Sequence, residues 1–216
     1  MLRRLRRDLE EVELAPRDSL YEPNTPGEYV YFPETGAAAI VTVLKDGTET
    51  EVATVGHEGM VGLPAFSSAR TAPRRAFWQL SGRALRVKAS VLRQETRHGG
   101  PLAKALHLYA HALFTQLAQL ATCNRHHSIE ERCCCWLLMT HDRIEGDEFE
   151  VTHEFLSEML GVRRAGVTVI LGNLQRRGLI QYRRGHISIR SRKGLQKHAC
   201  ECYGVVRGEF DRLLGS

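Results

Sequence analysis

The stretch THEFLSEMLGVRRAGVTVILGNLQRRGLIQYRRGHISI, Thr152 to Ile189, limits what this chain can fold into more than any other. Two short helical patterns flank Gly161. Two strand-like runs, Leu179–Tyr182 and His186–Ile189, then meet across Arg183-Arg184-Gly185. That is the layout of a winged helix-turn-helix. In the second helical pattern Val167, Ile170, Leu171 and Leu174 fall at i, i+3, i+4 and i+7, one apolar stripe at helical period. The stripe packs inward and leaves the opposite face free. That face starts with Arg163 and Arg164, runs through Thr168 and Asn173, and is followed by Arg176 and Arg177, a pattern suited to a helix end lowered onto a polyanion.

Charge supports this placement. The formal net charge is +5, yet residues 152–197 alone hold ten Lys/Arg against two acids, a local excess of eight that leaves the remainder near −3. Concentrated basicity attracts phosphate by counterion release, whereas the same charge spread evenly would favour only solubility. Solvated surface charge is the competing reading. With 216 residues, 43% of them hydrophobic, the chain can build two modest cores. It has no run of 18 apolar residues. Its basic Met-Leu-Arg-Arg-Leu-Arg-Arg start lacks the apolar stretch of a secretory signal, so a soluble cytoplasmic protein with no membrane partner is expected. Cysteines at 123, 133, 134, 135, 200 and 202, three of them consecutive, are a poor disulfide framework and fit a reducing compartment.

In chain order, residues 2–14 read as a short charged helix ended by Pro16. From Ser19 to Val91 the text turns to short β-rich pieces, YVYF, AAIVTVL, TEVATV, AFWQL and ALRVKA, with Asp46-Gly47 as a hairpin signal. Such spacing predicts an antiparallel β-roll, jelly-roll-like, rather than a parallel sheet. After His98-Gly-Gly-Pro101 the period changes. Leu102, Leu106, Tyr109, Leu113, Gln116 and Leu120 then step by threes and fours along a long helix, with Gln116 the weak link. A stripe of this kind is covered by a second copy or by the chain's own β-domain, and a homodimer helix is the reading taken. A second helix, Ser128–Ile144, opens with the capping box Ser128-Ile-Glu-Glu131. Ser191–Leu214 reads as one further helix, with Leu195, Ala199, Cys202, Val206, Phe210 and Leu213 on one stripe. The expected class is therefore α+β. Its parts are a β-roll effector-type domain over 1–98, a dimerisation helix over 99–127, and a winged helix-turn-helix with an extra C-terminal helix over 128–216.

In that order of parts the chain resembles the Crp/Fnr-type transcription regulators over residues 18–190. The most specific portion is Thr152-His-Glu-Phe-Leu-Ser-Glu-Met-Leu-Gly161 with the Val162–Gly178 helix. Val30-Tyr31-Phe32-Pro33, the Asp46-Gly47 hairpin and Val55-Gly56-His57-Glu58-Gly59-Met60-Val61-Gly62 are similar to the family's effector domain. The resemblance implies a homodimer on double-stranded DNA, a small-molecule effector in the roll, and RNA polymerase as a further partner. Members that bind cyclic nucleotide carry a Gly-Glu pair and an Arg followed by a small hydroxyl residue. Here Gly62 precedes Leu63 and Pro64, and Arg74-Arg75-Ala76 lacks the hydroxyl, so an effector other than cyclic AMP is implied. Its pocket candidates are Glu58, Arg74 and Arg75. No cysteine precedes Cys123, so neither an N-terminal iron–sulfur cluster nor another cofactor is expected.

The family's recognition helix often presents Arg, then Glu, with a second Arg four residues on. The matching positions here are Arg164, Ala165 and Val169, so only the first is retained and a different operator is implied. Base-edge candidates are Arg163, Arg164, Thr168 and Val169, the last through a thymine methyl. Thr152 caps the first helix. With His153, Arg176, Arg177, Arg183 and Arg184 it makes up the phosphate-contacting set.

Cys133-Cys134-Cys135 lies within a helix, where neighbouring side chains diverge by about 100°, so these residues read as packing. His198-Ala-Cys200-Glu-Cys202 offers a thiol or metal alternative, with His198 and Cys202 at i, i+4, although Cys202 also lies on the apolar stripe. A thiol or metal redox-sensing regulator on the same scaffold is thus the rival function. A β-roll binding protein without DNA function is another. Catalytic residues are not expected: no Gly-rich phosphate loop follows a strand, and there is no Gly-x-Ser-x-Gly or His-Glu-x-x-His.

Overall fold

The computed structural model describes residues 2–67 and 71–215, leaving aside the side chains of residues 2–4. Helix α1 (Leu2–Asp8) leads into strands β1 (Glu10–Leu14), β2 (Ser19–Tyr21), β3 (Tyr29–Pro33), β4 (Ala37–Val43) and β5 (Glu49–Val55). A short α2 (Leu63–Phe66) precedes β6 (Arg75–Leu80), β7 (Gly82–Lys88) and α3 (Ala89–Thr96). The expected helix over residues 2–14 is therefore corrected. Only its first half is helical, and Glu10–Leu14 pairs antiparallel with β7 as an edge strand. Its acids alternate with Val12 and Leu14, a period of two that the preceding run of arginines disguises.

Two antiparallel sheets, β1-β7-β3 and β2-β6-β4-β5, form the roll. The β4–β5 hairpin turns at Asp46-Gly47, where Gly47 takes φ 85° and Thr48 N–H donates to Asp46 Oδ1 at 2.9 Å. Strand β4 is buried on both faces. Ala38 and Ile40 join Val30, Val55, Trp78 and Val87 inside the roll, while Ala37, Ala39 and Val41 point the other way with Phe77 and Leu80. The unbroken apolar run AAAIV is explained by this, since the strand's second face is covered by the C-terminal half.

Helix α4 (Pro101–His126) lies along the roll. Tyr109 donates to Met60 O at 3.0 Å, and Gly59 is required beneath it, because a Cβ there would come within 2.4 Å of the ring. Gln116 is buried because its Nε2 donates to Thr54 O on β5 at 3.3 Å. Leu106, Tyr109, Leu113 and Gln116 are thus covered by the chain's own roll and C-terminal helix, while Leu102 and Leu120 are only half-buried. The stripe that the sequence offered as the dimer seam is mostly an internal one. The face beside it remains open, with Phe114 65% exposed and Ala110, Leu117 and Ala121 at its flanks.

The C-terminal half comprises α5 (Ile129–His141), β8 (Glu148–Glu150), α6 (His153–Leu160), α7 (Arg164–Arg176), β9 (Ile180–Arg183), β10 (His186–Ile189), α8 (Arg192–His198) and α9 (Cys202–Leu214). Helix α5 opens with the Ser128/Glu131 capping box, both reciprocal bonds being formed. The expected single helix after Ser191 is two: the chain breaks at Ala199–Glu201, and α9 crosses back onto α4, placing Val206 and Phe210 in the roll's core.

Candidate nucleic-acid interface

Helix α6 is capped by Thr152, whose Oγ1 accepts from Phe155 N–H at 3.1 Å, and it ends at Gly161 in the left-handed conformation, φ 64°. A short turn then launches α7. Val167, Ile170, Leu171 and Leu174 are buried in one core with Leu156, Leu179, Ile180 and Ile187, as the stripe required. Burying each such side chain contributes about 1.5–3 kcal/mol. The opposite face is open. Arg163, Arg164, Ala165, Thr168, Gly172 and Arg176 are exposed, and Val169 is 62% exposed. No side chain caps α7, whose start is flanked by the two arginines.

The wing lies alongside in the sheet β8-β10-β9. Its tip is Arg184-Gly185, with φ 50° and 85°, the pair of left-handed residues that a tight hairpin needs. Arg183 and Arg184 are exposed there. Arg190 joins them along a groove floored by Gln181, His186 and Ser188. Sequence reasoning passed over Arg190, although strand alternation from His186 through Ser188 puts it on this face.

Not every basic residue in the set is free. Arg177 pairs with Glu130 at 2.6 Å, Arg164 lies 3.5 Å from Glu154, and Arg176 donates to Asn173 Oδ1. His153 Nδ1 sits 2.9 Å from Thr168 Oγ1, and its ring stacks on Tyr182 at 4.5 Å. Burial, and then the Arg164 guanidinium, hold the imidazole below its usual pKa. His153 is therefore a brace between α6, α7 and the wing: Nδ1 is engaged with Thr168 and Nε2 is buried, so the structure turns neither ring nitrogen toward an outside phosphate.

The other side of this half is fastened to the roll by polar contacts, two of them buried. Arg143, just past α5, donates from Nε and Nη2 to Glu58 Oε1 at 2.9 and 2.8 Å, and both side chains are less than a tenth exposed. Burial is the largest influence and would raise the Glu58 carboxyl, but the Arg143 charge and the hydrogen bonds from Arg143 and the Gly56 N–H together outweigh it and hold the pKa below its usual value. Arg17 reaches Glu49 and, at 2.5 Å, Glu158 on α6, with its guanidinium over Phe77 and Phe155. Trp136 Nε1–H donates to the fully buried Glu51 at 3.4 Å.

A second concavity, of about 1190 Å³, opens between the roll and α4, with Ile40, Leu63, Leu113 and Phe114 beside Arg74, Arg93 and Arg97. Of the three effector-pocket candidates only Arg74 lines it. Glu58 is committed to Arg143, and Arg75 turns to Glu22 and Glu49 at 3.3 and 2.8 Å. Arg93 and Arg97 were missed because α3 gave no distinct sequence signal. The thiol and metal candidates also rearrange. His198 Nδ1 lies 2.9 Å from its own helix's Gly194 O, away from Cys200 and Cys202.

Residues 131–198 match the Crp-like helix-turn-helix domain, and residues 11–97 match the cyclic nucleotide-binding domain. Among solved structures the chain is similar to FixK2 from Bradyrhizobium japonicum, at 20% identity and TM-score 0.75, covering 89% of this chain and 98% of that one. It is similar to TTHB099, a transcriptional regulator of the CRP family from Thermus thermophilus, at 17% identity and TM-score 0.71, covering 87% and 96%. It also resembles CLP, the c-di-GMP responsive global regulator of Xanthomonas campestris, at 15% identity and TM-score 0.66, covering 87% and 97%. At these identities the likeness is one of fold. No curated protein sequence matches the chain. Among the described residues no helix is long and apolar enough to cross a membrane.

Proposed function

This chain belongs to the Crp/Fnr-type transcription regulators, and from that premise we propose that it acts as a homodimer, each subunit setting the start of α7 into a major groove of double-stranded DNA. The observation that carries this is the open face of α7 and the wing, where Arg163, Arg164, Thr168, Val169, Arg183, Arg184 and Arg190 all lie at the surface. Arg163 and Arg164, at the helix start, would reach base edges. Arg183 and Arg184 at the wing tip, with Arg176 at the helix end, would contact phosphates.

A second copy would cover the open side of α4, along Ala110, Phe114, Leu117 and Ala121, which recur at i, i+4, i+7 and i+11. A two-fold axis there gives pseudo-palindromic half-sites about 34 Å apart, one helical turn. The effector would enter the concavity behind Phe114. Its three guanidiniums among apolar walls suit a small anionic molecule with an apolar body. A fold neighbour that answers to c-di-GMP supports an effector other than cyclic AMP. Binding at that place would act through α4, and only by preferring one arrangement of the two halves.

Fluorescence anisotropy on a selected fragment tests the reading. The logarithm of affinity is expected to fall linearly with the logarithm of salt, and the slope is expected to shrink by about 1 in Arg184→Ala. A slope unchanged in Arg176→Ala, Arg183→Ala and Arg184→Ala alike would remove the wing and the end of α7 from the interface.

A further inference from the structure

Four metal-ligating side chains from two distant parts of the sequence meet where α4 ends. Cys123 and His127 are at i and i+4, so they share a helix face in and just past the last turn of α4. Cys200 and Cys202 are supplied by the break between α8 and α9. Cys123 Sγ lies 3.5 Å from Cys200 Sγ, Cys202 Sγ lies 3.4 Å from His127 Nδ1, and all four ligand atoms fall within 4.8 Å of one another. For a tetrahedral ion with bonds of about 2.3 Å to sulfur and 2.0–2.1 Å to nitrogen, the edges are about 3.8 Å between sulfurs and about 3.6 Å from sulfur to nitrogen. The Cys123–Cys200 and Cys202–His127 spacings lie close to those edges.

The surroundings match as well. His127 Nε2 is 3.3 Å from Glu201 Oε2, which fixes the tautomer that leaves Nδ1 as the ligand, the carboxylate–histidine pairing typical of metal sites. Gln119 Nε2–H donates to Cys202 Sγ at 3.2 Å, a bond that strengthens when the sulfur is a thiolate. Cys133 and Cys134, by contrast, are fully buried thiols outside this cluster, and their role is packing. Cys135 stands behind the cluster with its sulfur 3.2 Å from Cys200, as a neighbouring thiol rather than one of the four corners.

We propose that Cys123, His127, Cys200 and Cys202 form a tetrahedral site for a thiophilic divalent cation of the Zn²⁺ class, fastening the end of α4 to the α8–α9 junction. Three sulfurs and one imidazole exclude Ca²⁺ and Mg²⁺, which require oxygen ligands. On binding, the three thiols release their protons to solvent, and the cluster with a dication carries a net charge of −1. Nothing is oxidised or reduced. The site also gives a reason for the helix break at Ala199–Glu201, since a continuous helix would carry Cys200 and Cys202 apart.

The full-length protein, purified with reductant and without chelator, is assayed for metal by mass spectrometry and titrated with Co²⁺. About one Zn²⁺ per chain is expected, along with the intense ligand-field and sulfur-to-metal charge-transfer bands of a tetrahedral thiolate–cobalt centre. Cys200→Ser and His127→Gln are each expected to lower metal affinity by about tenfold or more. His127→Cys and Cys135→Ser should retain the metal, which separates ligands from neighbours. The proposal is overturned if the reduced wild-type protein takes up neither Zn²⁺ nor Co²⁺, or if His127→Gln binds as the wild type does. Isolation with a Cys135–Cys200 disulfide that takes up no metal after reduction would also overturn it. None of these readouts involves DNA, so the site stands or falls separately from the regulatory reading.

Discussion

Arg143 and Arg184 are the same side chain put to opposite uses, and the two faces of the C-terminal half differ as they do. Arg143 is buried against the roll, with Nε and Nη2 on Glu58 and Nη1 on Met139 O, whereas Arg184 stands exposed at the wing tip. A buried charge is fixed by its partner and is costly to leave alone. An exposed charge adds little to stability and is free to meet a phosphate. The inner face therefore holds the molecule together, and the outer face is available for recognition.

Substitution on the inner face should have the largest effect. Arg143→Met leaves Glu58 buried without its partner and is expected to cost about 3–5 kcal/mol in urea unfolding, much of it regained in the Glu58→Gln/Arg143→Met double variant. If the single variant loses less than the double, the pair is not the latch described. Leu174→Ala in the recognition helix's apolar stripe should cost about 2–5 kcal/mol and lower DNA binding only through folding.

The two arginines are not equally legible in the sequence. The apolar stripe of α7 and the turn at Arg184-Gly185 can be read because helical and strand periods are local. Arg143 gives no such signal, since its partner is 85 residues away. The same limit hides the metal-ligand cluster: Cys123 and His127 meet Cys200 and Cys202 only after α9 folds back onto α4. Along α4 the sequence shows which face is apolar but not what covers it, and the cover proves to be the roll and α9. Strand β1 reads as helix because an edge strand of alternating acids lacks β-branched residues apart from Val12.

Two buried acids extend the contrast to pH. Glu58 has a folded-state pKa below its unfolded value of 4.5, so its stabilisation is complete above about 4.5 and is lost as the pH falls through the folded value. Glu51 is the reverse case. Burial raises its pKa despite hydrogen bonds from Thr54 and Trp136, so its contribution is complete below about 4.5 and is lost as the pH rises through the folded value. Glu58→Gln should therefore flatten the acid limb of a stability–pH curve, and Glu51→Gln the decline toward neutrality. An identical pH profile in both variants would show that neither carboxyl titrates as placed.

On the outer face effects should be on binding rather than folding, and smaller. Arg164→Ala is expected to cost about 1–3 kcal/mol on the preferred sequence and to relax specificity at one base pair. Arg177→Ala should do less, because Glu130 already holds that side chain. A larger loss in Arg177→Ala than in Arg164→Ala would reverse the assignment of base and phosphate contacts along the helix.

Selection of genomic fragments by the purified protein, followed by footprinting, decides whether the outer face reads a DNA sequence. Enrichment is expected of a pseudo-palindrome whose two protected half-sites are centred about one helical turn apart, with enrichment abolished at one position per half-site in Arg164→Ala. Recovery of no common sequence, or of one whose protection is unchanged when Arg163 and Arg164 are both replaced, would contradict it.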